Sequence, residues 1–505
     1  MFTDEALDCV SFNSVWRKSQ QSAREERGCQ TRAVHSIDSK IQTSSTTETC
    51  TQTEPWDQRT EEILYSPDDP EPPGLLDFLL RVEQVLIREL TKNSRSHAFD
   101  GFQVNWSGES KQVSRLHLLQ HPAAQDRGLH VTSVSWSCTG SVIACAFGRI
   151  DEGDWSTESS YVCTWNLDRR HLRPKQADLV IDVSTAVTAL HCHPCQPALI
   201  AGGLYNGEVL VWDTSRTQDL VLALTGMSAD SHREPVYQVS WIPLQKKGDF
   251  GILSACSGGR VLLWTVDSGQ GKLALNAAYA FVQQQLPRSS SFKTRVLSSS
   301  SLVGVTSLSL CPWDSDTFLV GSEGGLLLKC SFSSKTPAAV CSDNQSVALK
   351  APAVFSFQPH NGPVHSVHCS PFHRNLFVSA GTDGMVQVHS MLQVNPLMSV
   401  RVSDSYIFQV QWSPTRPLVF AAATGQGEVQ IFDLGHRSLK PSATITQEVV
   451  GGATTCLDFN GQNPRLLAVG NTDGTVCVWQ LPSDLTEQRP RESIQLEMIA
   501  NQVAE

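Results

Sequence analysis

The chain has 505 residues, 40% of them apolar and 18% charged, with a formal net charge of −11. That is a globular composition with room for two to four domains, and its acidic balance lacks the basic face that nucleic-acid binding requires. No apolar run approaches the roughly 18 residues of a membrane span, and Met1-Phe2-Thr3-Asp4-Glu5 lacks the basic–apolar–small order of a secretory signal. Fifteen cysteines, an odd number without pairing rhythm, read as reduced thiols of a cytosolic compartment.

Residues 1–74 carry 14 acidic and 7 basic side chains, so they hold −7 of the total charge. They also hold 24 Ser, Thr and Gln, and Pro67, Pro70, Pro72 and Pro73 close the stretch. Such a segment cannot bury enough apolar surface to offset its ordering entropy, so it reads as a disordered tail when alone. Three short look-alikes lie inside it: Cys29-Gln30-Thr31, Ile41-Gln42-Thr43 and Thr51-Gln52-Thr53. Thr and Ile favour extended backbone. An extended disordered peptide can add a strand to a partner's sheet edge. The plainer alternatives are a passive acidic tail and chance Gln-Thr pairs.

From Leu75 the pattern changes. Leu75, Leu79, Val82, Leu86 and Leu90 share one helical face, while Asp77, Arg81, Glu83, Gln84, Arg88 and Glu89 keep the rest polar. The spacing predicts an amphipathic helix over 75–91, marginal alone and therefore in need of a surface to cover it. A linker over 92–112 follows.

From about residue 131 the chain repeats. One anchor ends an alternating strand: Trp136, Cys192, Trp241, Leu310, Cys369, Trp412 and Phe459. A second ends a later strand: Trp165, Trp212, Trp264, Cys330, His389, Phe432 and Trp479. The two are 20 residues apart in five of the seven units, 23 in the third and 29 in the first. Gly207, Gly259, Gly325, Gly384, Gly427 and Gly474 precede the second anchor by five positions, as hairpin-turn glycines. Trp212-Asp213 is the one intact Trp-Asp pair at a second anchor. Repeats of this length, built from four short strands, predict an all-β fold: a seven-bladed WD-repeat β-propeller over 113–482. The seventh blade is one strand short, and Val113–Leu119 fits the vacancy, closing the ring without a free edge. A strand over Ile494–Ile499, in an otherwise plain tail over 483–505, is the alternative. Extra residues around Arg149–Ser160 and a Ser-rich basic stretch over Gln283–Gly304 read as surface loops.

No phosphate-cradling Gly loop, His–Glu metal spacing or nucleophile elbow is present. His191-Cys192-His193-Pro194-Cys195 has the look of a metal cluster, but alternation along a strand puts His191 and Cys192 on opposite faces. His360 with Asp383 reads as a structural hydrogen bond rather than a catalytic dyad. Neither an enzyme nor a cofactor is expected.

An acidic tail with Gln-Thr motifs, then an amphipathic helix, then a seven-unit WD-repeat propeller resembles a dynein intermediate chain. Thr51-Gln52-Thr53 matches the Thr-Gln-Thr core bound by the eight-kilodalton dynein light chain. Cys29-Gln30-Thr31 and Ile41-Gln42-Thr43 lack the first Thr of that core. The resemblance implies that the helix over Leu75–Leu90 takes a roadblock-type light chain. Ser96–Phe102, Val104-Asn105-Trp106, Gly153–Thr157, Trp165–Arg170 and Ser370–Leu376 are similar to the WD-repeat intermediate chain of the intraflagellar-transport dynein, dynein-2. This likeness covers residues 29–482, and the coiled-coil dynactin-binding start of cytoplasmic intermediate chains is not visible. It implies a non-catalytic subunit whose propeller binds the dynein-2 heavy chain. Its tail would recruit light chains and pair with a second WD-repeat intermediate chain. Cytoplasm, cilium, axoneme and basal body are the implied places, with retrograde intraflagellar transport as the task. The alternative is an unrelated WD-repeat adaptor, such as a ubiquitin-ligase substrate receptor. No nucleic acid or membrane is expected as a partner.

Overall fold

The computed structural model describes residues 74–95, 112–149, 159–244, 248–287, 301–340, 345–436, 440–447 and 452–502. The chain divides into two units, residues 1–104 and 105–505. In the first, the described element is the tail helix, Leu75–Arg95, four residues longer than the periodicity indicates. Gly74 has φ +94°, a conformation that suits glycine, and its carbonyl accepts the Phe78 N–H. Thr91 extends the last turns by donating its hydroxyl to the Ile87 carbonyl at 2.6 Å.

The second unit is a ring of seven blades, each of four antiparallel strands; a parallel bridge, Lys272↔Leu224, joins the second and third blades into one sheet, and Leu349–Lys350 adds a parallel edge to the third. Their innermost strands are His130–Trp136, Val187–Cys192, Val236–Pro243, Val305–Leu310, Val364–Cys369, Ile407–Trp412 and Thr454–Phe459. Each innermost strand packs against that of the next blade, and the seventh packs against the first. The seventh blade has only three strands from the C-terminal side. Its fourth is Ser114–Gln120, paired antiparallel with Thr475–Gln480 from Ser114↔Gln480 to Gln120↔Thr475. Leu119 on this closing strand is fully buried.

The two anchors of each unit turn out to face the same residue of the middle strand. Ile143 pairs with Trp136 on one side and Trp165 on the other. Ile200 sits likewise between Cys192 and Trp212, and Phe377 between Cys369 and His389. The constant 20-residue gap is therefore one hairpin arm out and one back. The third unit departs because its first hairpin reaches Pro243↔Phe250, and the first because its second hairpin spans Gly148 to Ser160. All six turn glycines have positive φ. At Gly384 a Cβ would overlap the Ser403 carbonyl oxygen of the following blade connection, so glycine is required there by both backbone and space.

The innermost strand of every blade bears a β-bulge near its start. Bulges bend and twist a strand, and in four of the blades the bulged residue is a threonine that bonds to the neighbouring blade. Thr132 donates to the Val187 carbonyl at 2.6 Å, and Thr188, Thr306 and Thr455 make the same bond to Val236, Val364 and Val131.

The C-terminal segment is not a strand. It forms two helices, Ser483–Thr486 and Glu492–Asn501. Leu496 and Ala500, four residues apart, are buried in the core shared by blades five and six, while Ile494 and Met498 face outward. The alternative closure over Ile494–Ile499 is thereby overturned: the apolar spacing is helical, and the edge it would fill is already paired.

Candidate functional site

Of the residues expected to bind partners, Gln30, Thr31, Gln42, Thr43, Thr51, Gln52 and Thr53 lie outside the described residues. The expected loops are described only at their edges, since 150–158 and 288–300 also fall outside. The helix face is described. Leu75, Leu79, Leu86 and Leu90 are exposed (39–58%), as are Leu76, Phe78, Leu80, Val85 and Ile87, and Val82 is half-buried. Nine exposed large apolar side chains on one 21-residue helix are far more than scattered surface leucines. Polar contacts occupy the other side, among them Arg88 and Lys92 with Glu89.

In the ring, the seven innermost strands enclose a central channel with a cavity of about 370 Å³. The residue one before each first anchor points into it: Ser135, His191, Ser240, Ser309, His368, Gln411 and Asp458. Six of these accept the backbone N–H of the next blade's anchor. Ser135 takes Cys192 N–H at 3.0 Å, His368 Nδ1 takes Trp412 N–H at 3.1 Å and Gln411 takes Phe459 N–H at 3.1 Å. Ser309 and His191 do the same for Cys369 and Trp241. Asp458 Oδ2 completes the circuit with Trp136 N–H at 3.1 Å, across 322 positions of sequence. Burial holds His191 and His368 down to about 4, so each ring stays neutral and Nδ1 can accept. Burial pushes Asp458 up to about 6, opposed by hydrogen bonds from Gln411 and the Trp136 N–H. This belt is structural. Sequence reading missed it because its members share only an acceptor atom, not a residue type.

The apparent metal cluster is dispersed. His191 faces the channel, Cys192 is in the core and Cys195 is exposed. His193 Nδ1 accepts the N–H groups of Cys195 and Gln196 at 3.0 and 2.9 Å. Its ring lies edge-on to Trp241 and Phe250, 4.6 Å between centroids in each case. His360 bonds Asp383 at 2.9 Å through Nδ1 and Ser379 at 2.8 Å through Nε2, and Ser379 also meets His389. His232, Ser254 and Trp264 repeat the chain in the third blade. These are buried struts that tie a blade connection to its own blade's second anchor, with no space for a substrate.

A closed ring of blades, braced by backbone-directed polar side chains and preceded by a helix with an uncovered apolar face, defines a WD-repeat scaffold. Such a protein works through surfaces rather than through chemistry. The chain belongs to the dynein intermediate chain family. It is 50% identical over 501 residues to the cytoplasmic dynein 2 intermediate chain 2 of Mus musculus, covering 99% of this chain and 92% of that one. It is 49% identical over 502 residues to the Homo sapiens protein of the same name, with the same coverage. The dynein axonemal intermediate chain 2 of Homo sapiens is 26% identical over 395 residues, 77% of this chain and 57% of that one. A family model described as the WD40 domain of dynein axonemal intermediate chain 3 matches residues 283–482. Within this family the chain is a structural, non-catalytic subunit of the dynein-2 type.

Proposed function

We propose that this chain is an assembly subunit of the dynein-2 motor, in which the propeller holds the heavy-chain tail and the N-terminal region gathers light chains. The uncovered face of Leu75, Leu79, Val82, Leu86 and Leu90 carries the reading. A helix of this kind is marginal in water, and each fully buried Leu stabilises a complex by about 1.5–3 kcal/mol. A roadblock-type light chain covers this face. Thr51-Gln52-Thr53, with Gln30-Thr31 and Gln42-Thr43, adds strands to the grooves of a dimeric eight-kilodalton light chain. Two grooves per dimer hold this tail beside that of a second WD-repeat intermediate chain, and tethering brings later sites to millimolar effective concentration. The motor so assembled serves retrograde intraflagellar transport, in the cytoplasm, cilium, axoneme and basal body.

The test is co-purification of the full chain with heavy-chain tail and light chains. A Leu79→Asp, Leu86→Asp double variant should lose the roadblock-type light chain and retain the heavy chain. Retention of that light chain by the double variant would refute the assignment of the helix. Recovery of a cullin adaptor instead of motor subunits would refute the whole reading.

A further inference from the structure

All seven innermost strands carry the same bulge, yet the bulged residue is of two kinds. Thr132, Thr188, Thr306 and Thr455 give their hydroxyls to the next blade's carbonyl. In the third, fifth and sixth blades the position holds Tyr237, His365 and Phe408 instead. Aromatic rings there do not serve the seam, and all three line the central channel. Tyr237 is 38% exposed, and Tyr406 beside the Phe408 bulge is 56% exposed. The His365 and Phe408 rings lie 5.6 Å apart between centroids, and Tyr406 stands edge-on to Phe408 at 6.5 Å. Because the bulge sits near the start of every innermost strand, these rings form a partial collar at one mouth of the channel.

Three residues farther along the strands, about 10 Å at 3.3 Å per residue, lies the level of Asp458. It is the one acid lining the cavity, and no lysine or arginine lines it. Burial holds His191, His365 and His368 low and lifts Tyr237 and Cys456, so these other titratable groups of the lining are uncharged near neutral pH. The Asp458 oxygens accept from Gln411 Nε2 at 2.9 Å and Trp136 N–H at 3.1 Å, both neutral donors. Burial pushes its carboxyl up to about 6, so the ring carries the ionised form at a cost to its own stability. A carboxylate inside a channel with an aromatic rim is complementary to a cation: the carboxylate supplies the counter-charge, and ring faces attract positive charge through their quadrupoles. The same carboxylate repels phosphate, so nucleic acid and anionic membrane surfaces do not match it.

We propose that the channel mouth between Tyr237, His365 and Phe408 is a docking surface for a segment of a partner protein, which inserts an arginine or lysine side chain toward Asp458. The inserted cation favours the ionised carboxyl. The segment therefore binds best above about pH 6 and is released as Asp458 takes up a proton. Neutral His191 and His368 do not repel it.

The experiment measures binding of labelled glycine–serine peptides to the full chain by fluorescence polarisation, each peptide with one central arginine, lysine, citrulline or norleucine. The arginine or lysine peptide should bind at least roughly tenfold more tightly than the uncharged two, as expected for a desolvated charge pair. Its affinity should be level above pH 7 and decline below about 6. Asp458→Asn should remove both the preference for charge and the pH dependence. Tyr237→Thr with Phe408→Thr restores the residue that four other blades carry, so the ring should fold while the peptide is weakened. Equal binding of the arginine, lysine and citrulline peptides, no binding of any at millimolar concentration, or unchanged selectivity in Asp458→Asn would overturn the proposal. Argininamide binding as tightly as the arginine peptide would overturn it too, since the channel would then take a free cation rather than a protein segment.

Discussion

Arg416 is the residue whose loss the ring should feel most selectively. Its side chain is 1% exposed, and Asp433 and Glu492, both 3% exposed, share its guanidinium. It donates to Asp433 Oδ2 at 2.9 Å, to Glu492 and to the Asp484 carbonyl, so one cation pins both C-terminal helices to the sixth blade. In Arg416→Met two buried carboxylates face each other without a cation, a loss of about 3–5 kcal/mol. Burial of Leu496 contributes only about 1.5–3 kcal/mol toward holding the last helix. The imbalance is relieved most cheaply by releasing that helix and hydrating Glu492, not by unfolding the ring. A change of 3 kcal/mol raises the open population roughly 100-fold. Trypsin cleavage after Arg491 tracks that population when reclosing is fast, so it should accelerate by about that factor, with the main unfolding transition little changed. Adding Asp433→Asn and Glu492→Gln to Arg416→Met should restore most of the protection. Cleavage within threefold of the parent chain would refute the argument.

Three further outcomes are expected. Asp458 has a folded-state pKa of about 6 against 3.8 in the unfolded chain, so the folded ring binds the extra proton between those values and loses stability as pH rises through them. Asp458→Asn should therefore stabilise the ring by up to about 3 kcal/mol at pH 8 and by much less near pH 4 in urea titrations; equal effects at both would refute the assignment. Deleting residues 1–95 should leave a monodisperse ring, whereas deleting 1–125 removes Ser114–Gln120, strips Thr475–Gln480 of its partner and should cause aggregation; equal solubility would contradict the closure. Calorimetry on residues 20–60 should show that Gln52→Ala with Thr53→Ala weakens light-chain binding more than the same changes at Gln30-Thr31 or Gln42-Thr43. An unchanged stoichiometry with all three pairs altered would make the motifs incidental.

The fold was legible wherever one physical demand recurs at a fixed distance. A buried anchor such as Trp412 and a turn glycine such as Gly427 each satisfy one demand with one residue type, so they survive as a pattern. The channel belt satisfies a demand too, but Ser135, His368, Gln411 and Asp458 all meet it, and no residue pattern results. Nothing local marks Arg416, between Thr415 and Pro417, because its partners Asp433 and Glu492 are brought to it by the sixth blade and the C-terminal helix. The closing strand was legible by counting. The two short C-terminal helices were not, since Pro482 and Pro490 break their pattern and just three apolar side chains, Leu485, Leu496 and Ala500, mark their buried faces. The helix over Leu75–Arg95 was legible, because amphipathicity is a local property and needs no knowledge of what covers it.

The closing strand also sets a schedule for biosynthesis. Leu119 pairs with Val476, so roughly 360 residues must leave the ribosome after the strand before its partner exists. At 5–20 residues per second that interval is roughly 20–70 s, long compared with the microseconds in which a hairpin forms. Each blade from the first to the sixth can fold as it emerges, from strands close together in the chain; Leu349–Lys350, which precedes the outer strand of the fourth blade, pairs back to the third. The strand over Ser114–Gln120 alone waits, with backbone donors and acceptors unsatisfied, for the last blade to arrive. A nascent chain of this protein therefore depends most on chaperone cover for its earliest strand, and a ribosome stalled before Thr475 releases an open arc rather than a smaller ring.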